Sequence, residues 1–435
     1  MVKKNVCVVV LGDIGRSPRM QYHAQSLIRQ GFNVDIVGYT DSPVLDDLKE
    51  NATIIGVQKP FPFDEYVPRL IAFLFKVVWQ TLTLFWAILV KRKSDIVLVQ
   101  NPPAIPTLAV CWFYCLLVNA KFIIDWHNYA YSVLALTLGS NAPLVKLSLF
   151  YEHFFGRLAD SNLCVTKAMK EDLHEKWNIE ATTLYDRPGP QFKTITLTEK
   201  HYLLEKMKLN DFTELLESGE VRLKSDRPSL LVSSTSWTPD EDFSILLKAL
   251  QIYLSLSCVI LSKWFWFTFI VSEYDESDDI YPKLVCVITG RGPLKCHYQL
   301  MISKLKWNKV LIITPWLENN DYPILLACAD LGVCLHASSS GLDLPMKVID
   351  MYGVGLPVCA YDFKCLNELV RHNENGLVFS NENQLAMHIM TWFKNFPLQI
   401  CEQRTRFCKE INNFRAIDWH TNWMNNAYPI FSNDN

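Results

Sequence analysis

Short apolar runs alternate along this chain with stretches of helical period. Val6–Leu11 is a continuous apolar run, long enough for one buried strand. The polar stretch Gly12–Arg19 separates it from a helical segment, Met20–Gln30, that stops at Gly31. Val34–Gly38, Ile96–Gln100, Phe122–Asp125 and Asn162–Thr166 repeat the strand signal. Strands apolar on both faces, each followed by a helix, predict a parallel sheet covered by helices. Over residues 193–228 the rhythm is lost and the chain turns charged, which reads as a partly helical connector. A second series then follows at Leu230–Ser233, Leu284–Thr289, Val310–Thr314, Leu331–Leu335 and Pro357–Tyr361. The expected organisation is an α/β protein of two Rossmann-like domains, 1–192 and 229–415, joined by the connector 193–228. Residues 416–435, with a helix near Asp418–Asn426, are expected to pack back across the connection.

Three longer apolar runs change this picture. Leu70–Val90 is long enough to span a bilayer, but Lys76 and Gln80 interrupt it and Lys91, Arg92 and Lys93 follow. It reads either as a helix on a membrane surface or as a buried helix of a large domain. Ile105–Val118 is shorter. Gln251–Val271, broken by Lys263, reads as an apolar insertion, either a membrane contact or a mis-spliced segment. Two or three interrupted runs amid α/β rhythm do not make a transporter. The net charge of −3 excludes a general nucleic-acid binder. Thirteen cysteines without metal-type spacing indicate neither a zinc site nor a disulfide framework, and fit a reducing compartment. No signal peptide is expected ahead of the first strand.

Parallel sheets bind ligands at the carboxyl ends of their strands. In the second series, the stretch Ser338–Val358 places a glycine-containing polar turn before a helix, with Lys347 and Asp350 three apart on it. A helix N-terminus favours an anion such as a diphosphate, a lysine meets phosphate charge, and a carboxylate accepts hydrogen bonds from a ribose diol. Ser339, Gly341, Lys347 and Asp350 therefore form a candidate nucleotide-sugar site; the alternative is an ordinary αβ unit with Lys347 solvated. Gly290 and Gly292 would let a backbone approach the same ligand, and Arg291 would pair with phosphate. In the first series, Gly12, Gly15 and Arg16 follow the first strand in a loop that resembles a phosphate-binding glycine loop. Their spacing matches neither a dinucleotide fingerprint nor a P-loop, which disfavours a nicotinamide dehydrogenase. Asp13 is a general base or a helix cap. His127 is a base, a contact to the donor sugar, or a buried histidine joining two loops. Asp125 would orient it. Asp186 and Arg187 close the domain near these loops.

Several blocks carry a resemblance: GDIGRSPRMQYHA, QNPPAIPTLAVCW, IDWHNYAYS, VITGRGPL and ADLGVCLHASSSGLDLPMKVIDMYG resemble the chitobiosyldiphosphodolichol β-mannosyltransferase family. The resemblance runs from about residue 5 to residue 425, apart from insertions and the connector. It implies the GT-B fold, with two Rossmann-like domains facing a cleft. It implies inverting transfer of mannose from GDP-mannose to chitobiose on dolichyl diphosphate, forming a β1,4 link at the cytosolic face of the endoplasmic reticulum membrane. Asp13 or His127 would then be the base, Arg291, Lys347 and the Gly341 turn would serve the GDP leaving group, and Asp350 would hold the ribose. No metal is assigned and no cofactor is required, a divalent cation being at most stimulatory. The expected partners are GDP-mannose, dolichyl-diphosphate chitobiose, the membrane and other mannosyltransferases of the pathway, with no nucleic acid. Three departures accompany the resemblance. The family's usual N-terminal anchor is not expected here: either this is a shorter form, or the surface helices carry the attachment. The first of a pair of donor-loop glutamates common in related transferases falls on Leu342, with Asp343 beside it. The third departure is the apolar insertion. A GT-B transferase or sugar-nucleotide epimerase with another donor, and a catalytically silent GT-B subunit, are the competing readings.

Overall fold

Each residue from Val6 to Val10 is wholly buried, because the first strand is covered on both faces and both edges. The computed structural model describes residues 3–62, 66–267, 280–399 and 402–432. Among the described residues, one parallel sheet contains β1 (Asn5–Asp13), β2 (Asn33–Tyr39), β3 (Thr53–Gly56), β4 (Ile96–Asn101), β5 (Lys121–Trp126), β6 (Ser161–Cys164) and β7 (Thr182–Thr183), in the order β3-β2-β1-β4-β5-β6-β7. Val8 lies opposite Ile36 on one side and Leu98 on the other. Side chains alternate across a strand, so β1 feeds two cores. Cys7, Val9 and Leu11 join Val97, Val99 and Ile124, while Val6, Val8 and Val10 join Val34, Ile36 and Leu98.

The predicted strands of this sheet are present. β1 runs two residues past the apolar run, to Asp13, so the first two residues of the expected turn are extended strand. A single 3-10 turn, Ile14–Arg16, then leads to the helix Pro18–Arg29, with proline at its first position, where the missing N–H costs nothing. β3 and β7 are short and weakly apolar, which is why pattern alone did not reveal them.

The residues expected as a connector have structure of their own. They hold the helix Leu197–Lys206, started by a Thr196–Glu199 capping box, and the antiparallel pair β8 (Thr213–Leu215) and β9 (Val221–Leu223). Leu204 and Phe212 are buried, Lys200 Nζ donates to the Cys328 carbonyl at 2.7 Å, and Arg227 grips Asp330 with two 2.8 Å bonds. A few apolar positions dock a segment whose charge made it look solvated. The second sheet is parallel too: β10 (Ser229–Ser234), β11 (Leu284–Thr289), β12 (Val310–Ile313), β13 (Leu331–Cys334), β14 (Val358–Tyr361) and β15 (Leu377–Phe379), in the order β12-β11-β10-β13-β14-β15.

The chain divides into two compact units. The first comprises residues 1–186, 339–344 and 418–435; the second comprises 187–338 and 345–417. The boundary thus falls at 186, the connector residues belong to the second unit, and the C-terminal helix Trp419–Asn426 belongs to the first. Trp423 of that helix is buried in the first unit's core and donates its indole N–H to His23 Nδ1 at 2.9 Å. The three apolar runs fall on the helices Arg69–Leu89, Thr107–Val118 and Phe243–Phe267. The last begins as core, with Leu246, Leu250 and Tyr253 buried. Residues 268–271 of the expected insertion lie outside the described residues.

Candidate functional site

In the first unit the carboxylate of Asp125, at the end of β5, is a fully buried hub. Arg19 grips it through Nε and Nη2, each at 2.8 Å, and its Nη1 reaches Asp186 at 2.8 Å and the Leu184 carbonyl at 2.7 Å. His23 Nε2 lies 3.2 Å and His127 Nε2 2.8 Å from Asp125 Oδ2. Burial pushes the Asp125 carboxyl up, but the charge of Arg19 and the hydrogen bonds from Arg19 and His127 outweigh it and hold the group well below the usual carboxylate range. An indole N–H can only donate, so His23 Nδ1 accepts from Trp423 and its proton sits on Nε2, facing Asp125. By the same network His127 carries its proton on Nε2, which leaves the Nδ1 lone pair open on a side chain that is 22% exposed.

Asp13 stands at the end of β1. Its Oδ1 accepts the Ser42 N–H at 3.1 Å, and its Oδ2 lies 3.5 Å from Arg16 Nε and makes no hydrogen bond among the described residues. Burial raises the Asp13 carboxyl, yet the bonds from Ser42 and Gly15 and the charge of Arg16 bring it below its ordinary value. β4 lies between β1 and β5, so those strands run about 10 Å apart. Asp13 and His127 therefore head separate polar groups. A Cβ on Gly15 would stand 2.6 Å from the Ser42 carbonyl oxygen and 2.7 Å from that of Pro43. Close backbone packing accounts for that glycine without any phosphate. Gly12 is less constrained, with Val10 Cγ1 at 3.8 Å, and Arg16 is 81% exposed.

In the second unit, Lys347 is not a solvated cation. Its Nζ is paired with Glu241 Oε1, and Glu241 is 1% exposed. Glu241 Oε2 also accepts from Thr235 Oγ1 at 2.6 Å and from the Ser236 N–H at 3.0 Å, tying the loop after β10 to the helix Met346–Gly353. Gly290 and Gly292 are needed because the same loop lies on them. A Cβ on Gly290 would stand 1.7 Å from the Thr235 carbonyl oxygen, and one on Gly292 1.7 Å from that of Ser236. Trp237, buried at φ 49, fixes the junction by its indole bond to the Gly290 carbonyl at 3.2 Å. Arg291 between the glycines is exposed. Asp350 keeps part of its surface open but is crowded by side chains, and this burial pushes its carboxyl up to about 8. Tyr322 Oη, at 3.4 Å, and the charge of Lys347 offset only part of that push.

Ser339–Leu344 belongs to the first unit. Ser339 Oγ accepts from Asn128 Nδ2 at 3.1 Å and lies 3.0 Å from Ser132 Oγ. Asp343 Oδ1 accepts from the same amide at 3.2 Å, and the Leu342 carbonyl accepts from Thr166 Oγ1 at 2.6 Å. Leu342 is buried in the first unit's core, where a glutamate would bring an unpaired charge. Gly341 turns the chain at φ 72, which a side chain would strain. Ser339 and Gly341 are thus separated by unit from Lys347 and Asp350. Beside them a groove of about 460 Å³ is lined by Tyr129, Tyr131, Lys146, Lys176, Ser340 and Leu342, among others.

Residues 272–411 match the family Glycosyl transferases group 1, and residues 19–185 match Glycosyltransferase Family 4. The chitobiosyldiphosphodolichol β-mannosyltransferases of Pongo abelii and Homo sapiens are each 44% identical to the chain, over 98% of it and 92% of the relative. The chain belongs to the chitobiosyldiphosphodolichol β-mannosyltransferase family. A relative of similar rank from Arabidopsis thaliana, 41% identical over 98% of this chain and 97% of its own, is named UDP-glycosyltransferase TURAN. Among solved structures, sucrose-phosphate synthase from Thermosynechococcus elongatus aligns with TM-score 0.67 at 12% identity, covering 99% of this chain and 98% of its own. Anabaena HepE in complex with UDP-glucose aligns with TM-score 0.64 at 14% identity, covering 99% and 100%. At such identities they show the fold, which is GT-B.

This member of the mannosyltransferase family is a glycosyltransferase, as its sequence blocks predicted. The structure joins Asp125 to His127 and keeps Asp13 apart. It adds Arg19, His23 and Glu241, which sequence reasoning did not single out. Arg19 lies inside the quoted block GDIGRSPRMQYHA, and a charged residue on an otherwise buried helix face was the available signal. Glu241, one of three acidic residues in the loop after β10, carried no local signal that set it apart from Asp240 and Asp242.

Proposed function

We propose that this chain transfers mannose from GDP-mannose to chitobiose on dolichyl diphosphate, in β1,4 linkage with inversion, at the cytosolic face of the endoplasmic reticulum membrane. The relatives' names supply the acceptor and the sugar. The observation that carries the chemistry is the bond between His127 and the buried Asp125. A base that works near neutral pH needs an open lone pair and a pKa near that pH. Nδ1 of neutral His127 offers the lone pair. Asp13 is the weaker base, because its bonds favour the ionised form.

In this reading the acceptor O4 attacks C1 of mannose as its proton passes to His127 Nδ1. The bond from C1 to the β-phosphate oxygen breaks, and its electron pair leaves with GDP. Asp125 is a positioning residue that holds the tautomer and stabilises the imidazolium. Lys347, Arg291 and the first N–H groups of the helix Met346–Gly353 meet the charge that develops on the diphosphate. Two ribose hydroxyls donate to Asp350 and favour its ionised form. On the acceptor side, Arg16 offers a charge to the lipid diphosphate, and Gly12 and Gly15 shape the backbone beside it. A divalent cation is at most stimulatory.

A silent partner subunit is the second reading, favoured by the Lys347–Glu241 pair, which occupies the expected phosphate cation, and by Leu342 in place of a glutamate. Purified protein supplied with phytanyl- or dolichyl-diphosphate chitobiose and either GDP-mannose or UDP-sugars separates the readings. The expected product forms from GDP-mannose alone and is cleaved by β-mannosidase. Product from a UDP-sugar moves the donor assignment to the chemistry in the Arabidopsis name, and no turnover with any donor favours the silent subunit.

A further inference from the structure

The groove of the first unit lies between two helices and a turn. The helix Ala130–Leu138 supplies Tyr131, Ser132 and Ala135, the helix Pro143–Gly156 supplies Val145 and Lys146, and the segment 339–344 supplies Leu342. Its walls are fixed from behind. Glu152, buried on Pro143–Gly156, accepts the Ala130 and Tyr131 N–H groups at 2.8 and 2.9 Å and so ties the start of one helix to the other. Asp172 accepts from Tyr129 Oη at 2.9 Å and pairs with Lys176 Nζ at 2.7 Å. The volume, about 460 Å³, is that of a small-molecule site.

The lining selects the ligand. Tyr131 stacks on Tyr129, with ring centroids 5.2 Å apart and 25° between planes, and keeps part of its surface open. Trp177 backs both rings, 4.9 Å from Tyr129 and 6.1 Å from Tyr131. The result is a rigid flat platform. Ala135, Val145 and Leu342 add apolar surface, while Ser132, Ser340 and Lys146 bring hydroxyls and an ammonium. Lys146 makes no ion pair among the described residues, whereas Lys176 is neutralised by Asp172. A diphosphate would meet Lys146 with the Asp172 carboxylate bonded to the groove's other lysine, and an isoprenoid tail would strip water from the serines and Lys146 without replacing it. An acetamido sugar fits both halves of the lining. Its ring presents C–H surface to Tyr131, its hydroxyls bond the serines, and its acetamide carbonyl accepts from Lys146 while the methyl meets the apolar wall. The groove also begins where the proposed base ends. His127 is followed by Asn128, whose amide donates to Ser339 Oγ at 3.1 Å, and then by Tyr129.

We propose that this groove is the subsite for the two N-acetylglucosamine units of the acceptor, with Tyr131 as the platform and Lys146 as the donor to an acetamide carbonyl. The inference rests on the proposed chitobiose acceptor, and its first test does not depend on sugar transfer. Saturation-transfer NMR of free N,N′-diacetylchitobiose with the full chain reads the acetyl methyl signals. Wild type is expected to saturate them, Tyr131→Ala to cut the effect about fivefold or more, and Tyr131→Phe, which keeps the ring, to retain it. With phytanyl-diphosphate chitobiose as acceptor, Tyr131→Ala should raise the acceptor KM about tenfold and Lys146→Met about fivefold, with the donor KM unchanged. A merely structural role for Tyr131 would move both KM values and the melting temperature. Circular dichroism checks that each variant is folded. A folded Tyr131→Ala protein that binds the disaccharide as wild type does overturns the proposal, as does a wild type that leaves the methyl signals unsaturated. So does displacement of the disaccharide by phytanyl monophosphate, which carries no sugar, since the groove would then take the lipid. Disaccharide binding that Tyr131→Ala abolishes, without mannosyl transfer from any donor, would leave this subsite standing and sink the proposed reaction.

Discussion

Lys347, on the helix Met346–Gly353, and Glu241, in the loop after β10, form an ion pair in which the glutamate side chain is buried and the lysine side chain remains partly exposed. The lysine neutralises a buried charge and, in the proposed reaction, also meets a diphosphate. Lys347→Met is expected to destabilise the second unit by about 3 kcal/mol, because Glu241 is left unpaired. It should also lower kcat/KM for the donor by about tenfold to a hundredfold. Adding Glu241→Gln should restore the melting temperature without restoring donor use. Thermal denaturation and initial rates check both halves, and full recovery of donor use in the double variant would remove Lys347 from the donor site.

Asp350 is pushed up to about 8 by burial. A ribose diol donates best to the ionised carboxylate, so binding competes with a proton. Affinity for GDP should rise about tenfold per pH unit below 8 and level off above it. Binding below 8 should release a proton, detectable by calorimetry in buffers of different ionisation enthalpy. Asp350→Asn should weaken binding and flatten the profile. A pH-independent wild type would take Asp350 away from the ribose.

The two candidate bases separate by mutation. His127→Ala should lower kcat by about a hundredfold to ten-thousandfold, with little change in melting temperature, since the ring is partly exposed and not a core side chain. Asp125→Asn should lower kcat comparably and also destabilise the first unit by about 3 kcal/mol, because Arg19 loses its forked partner. Asp13→Asn should cost far less turnover than either. A His127→Ala enzyme at near wild-type rate would end the base assignment.

Glu152 gives the first unit a pH dependence of definite sign. Burial pushes its carboxyl from 4.5 to about 7, against the bonds from Asn101, Ala130 and Tyr131. A group raised in the folded state contributes stability that is complete below pH 4.5 and lost as pH rises through 7, on the order of 3 kcal/mol in all. Melting temperature should fall between about pH 5 and pH 8. Glu152→Gln cannot ionise and should flatten that slope, although its amide nitrogen cannot accept the Tyr131 N–H as the carboxyl oxygen does. An unchanged slope in the variant would assign the effect to another group.

The strands were legible because burial on both faces leaves a continuous apolar run, as in Val6–Leu11 and Leu284–Thr289. The segment Leu197–Leu223 was hidden because its few docking positions, Leu204 and Phe212 among them, are outnumbered by charges that face water. At the site, Asp125 and His127 are two residues apart and could be paired on local grounds. Lys347 looked free because its counter-charge, Glu241, lies 106 residues away along the chain. Gly290 and Gly292 looked like phosphate glycines, yet the backbone they admit is that of Thr235 and Ser236.

Periodicity and local blocks thus determined, without coordinates, the α/β alternation, the GT-B fold and the transferase family, because burial and short motifs are written in neighbouring residues. Tertiary structure alone decided which charges meet. Arg19 and Asp125 are 106 residues apart, Glu241 and Lys347 likewise, and His23 and Trp423 are separated by 400. A buried charge must find its counter-charge in space, and the order of strands in a sheet, rather than distance along the chain, sets which side chains arrive there.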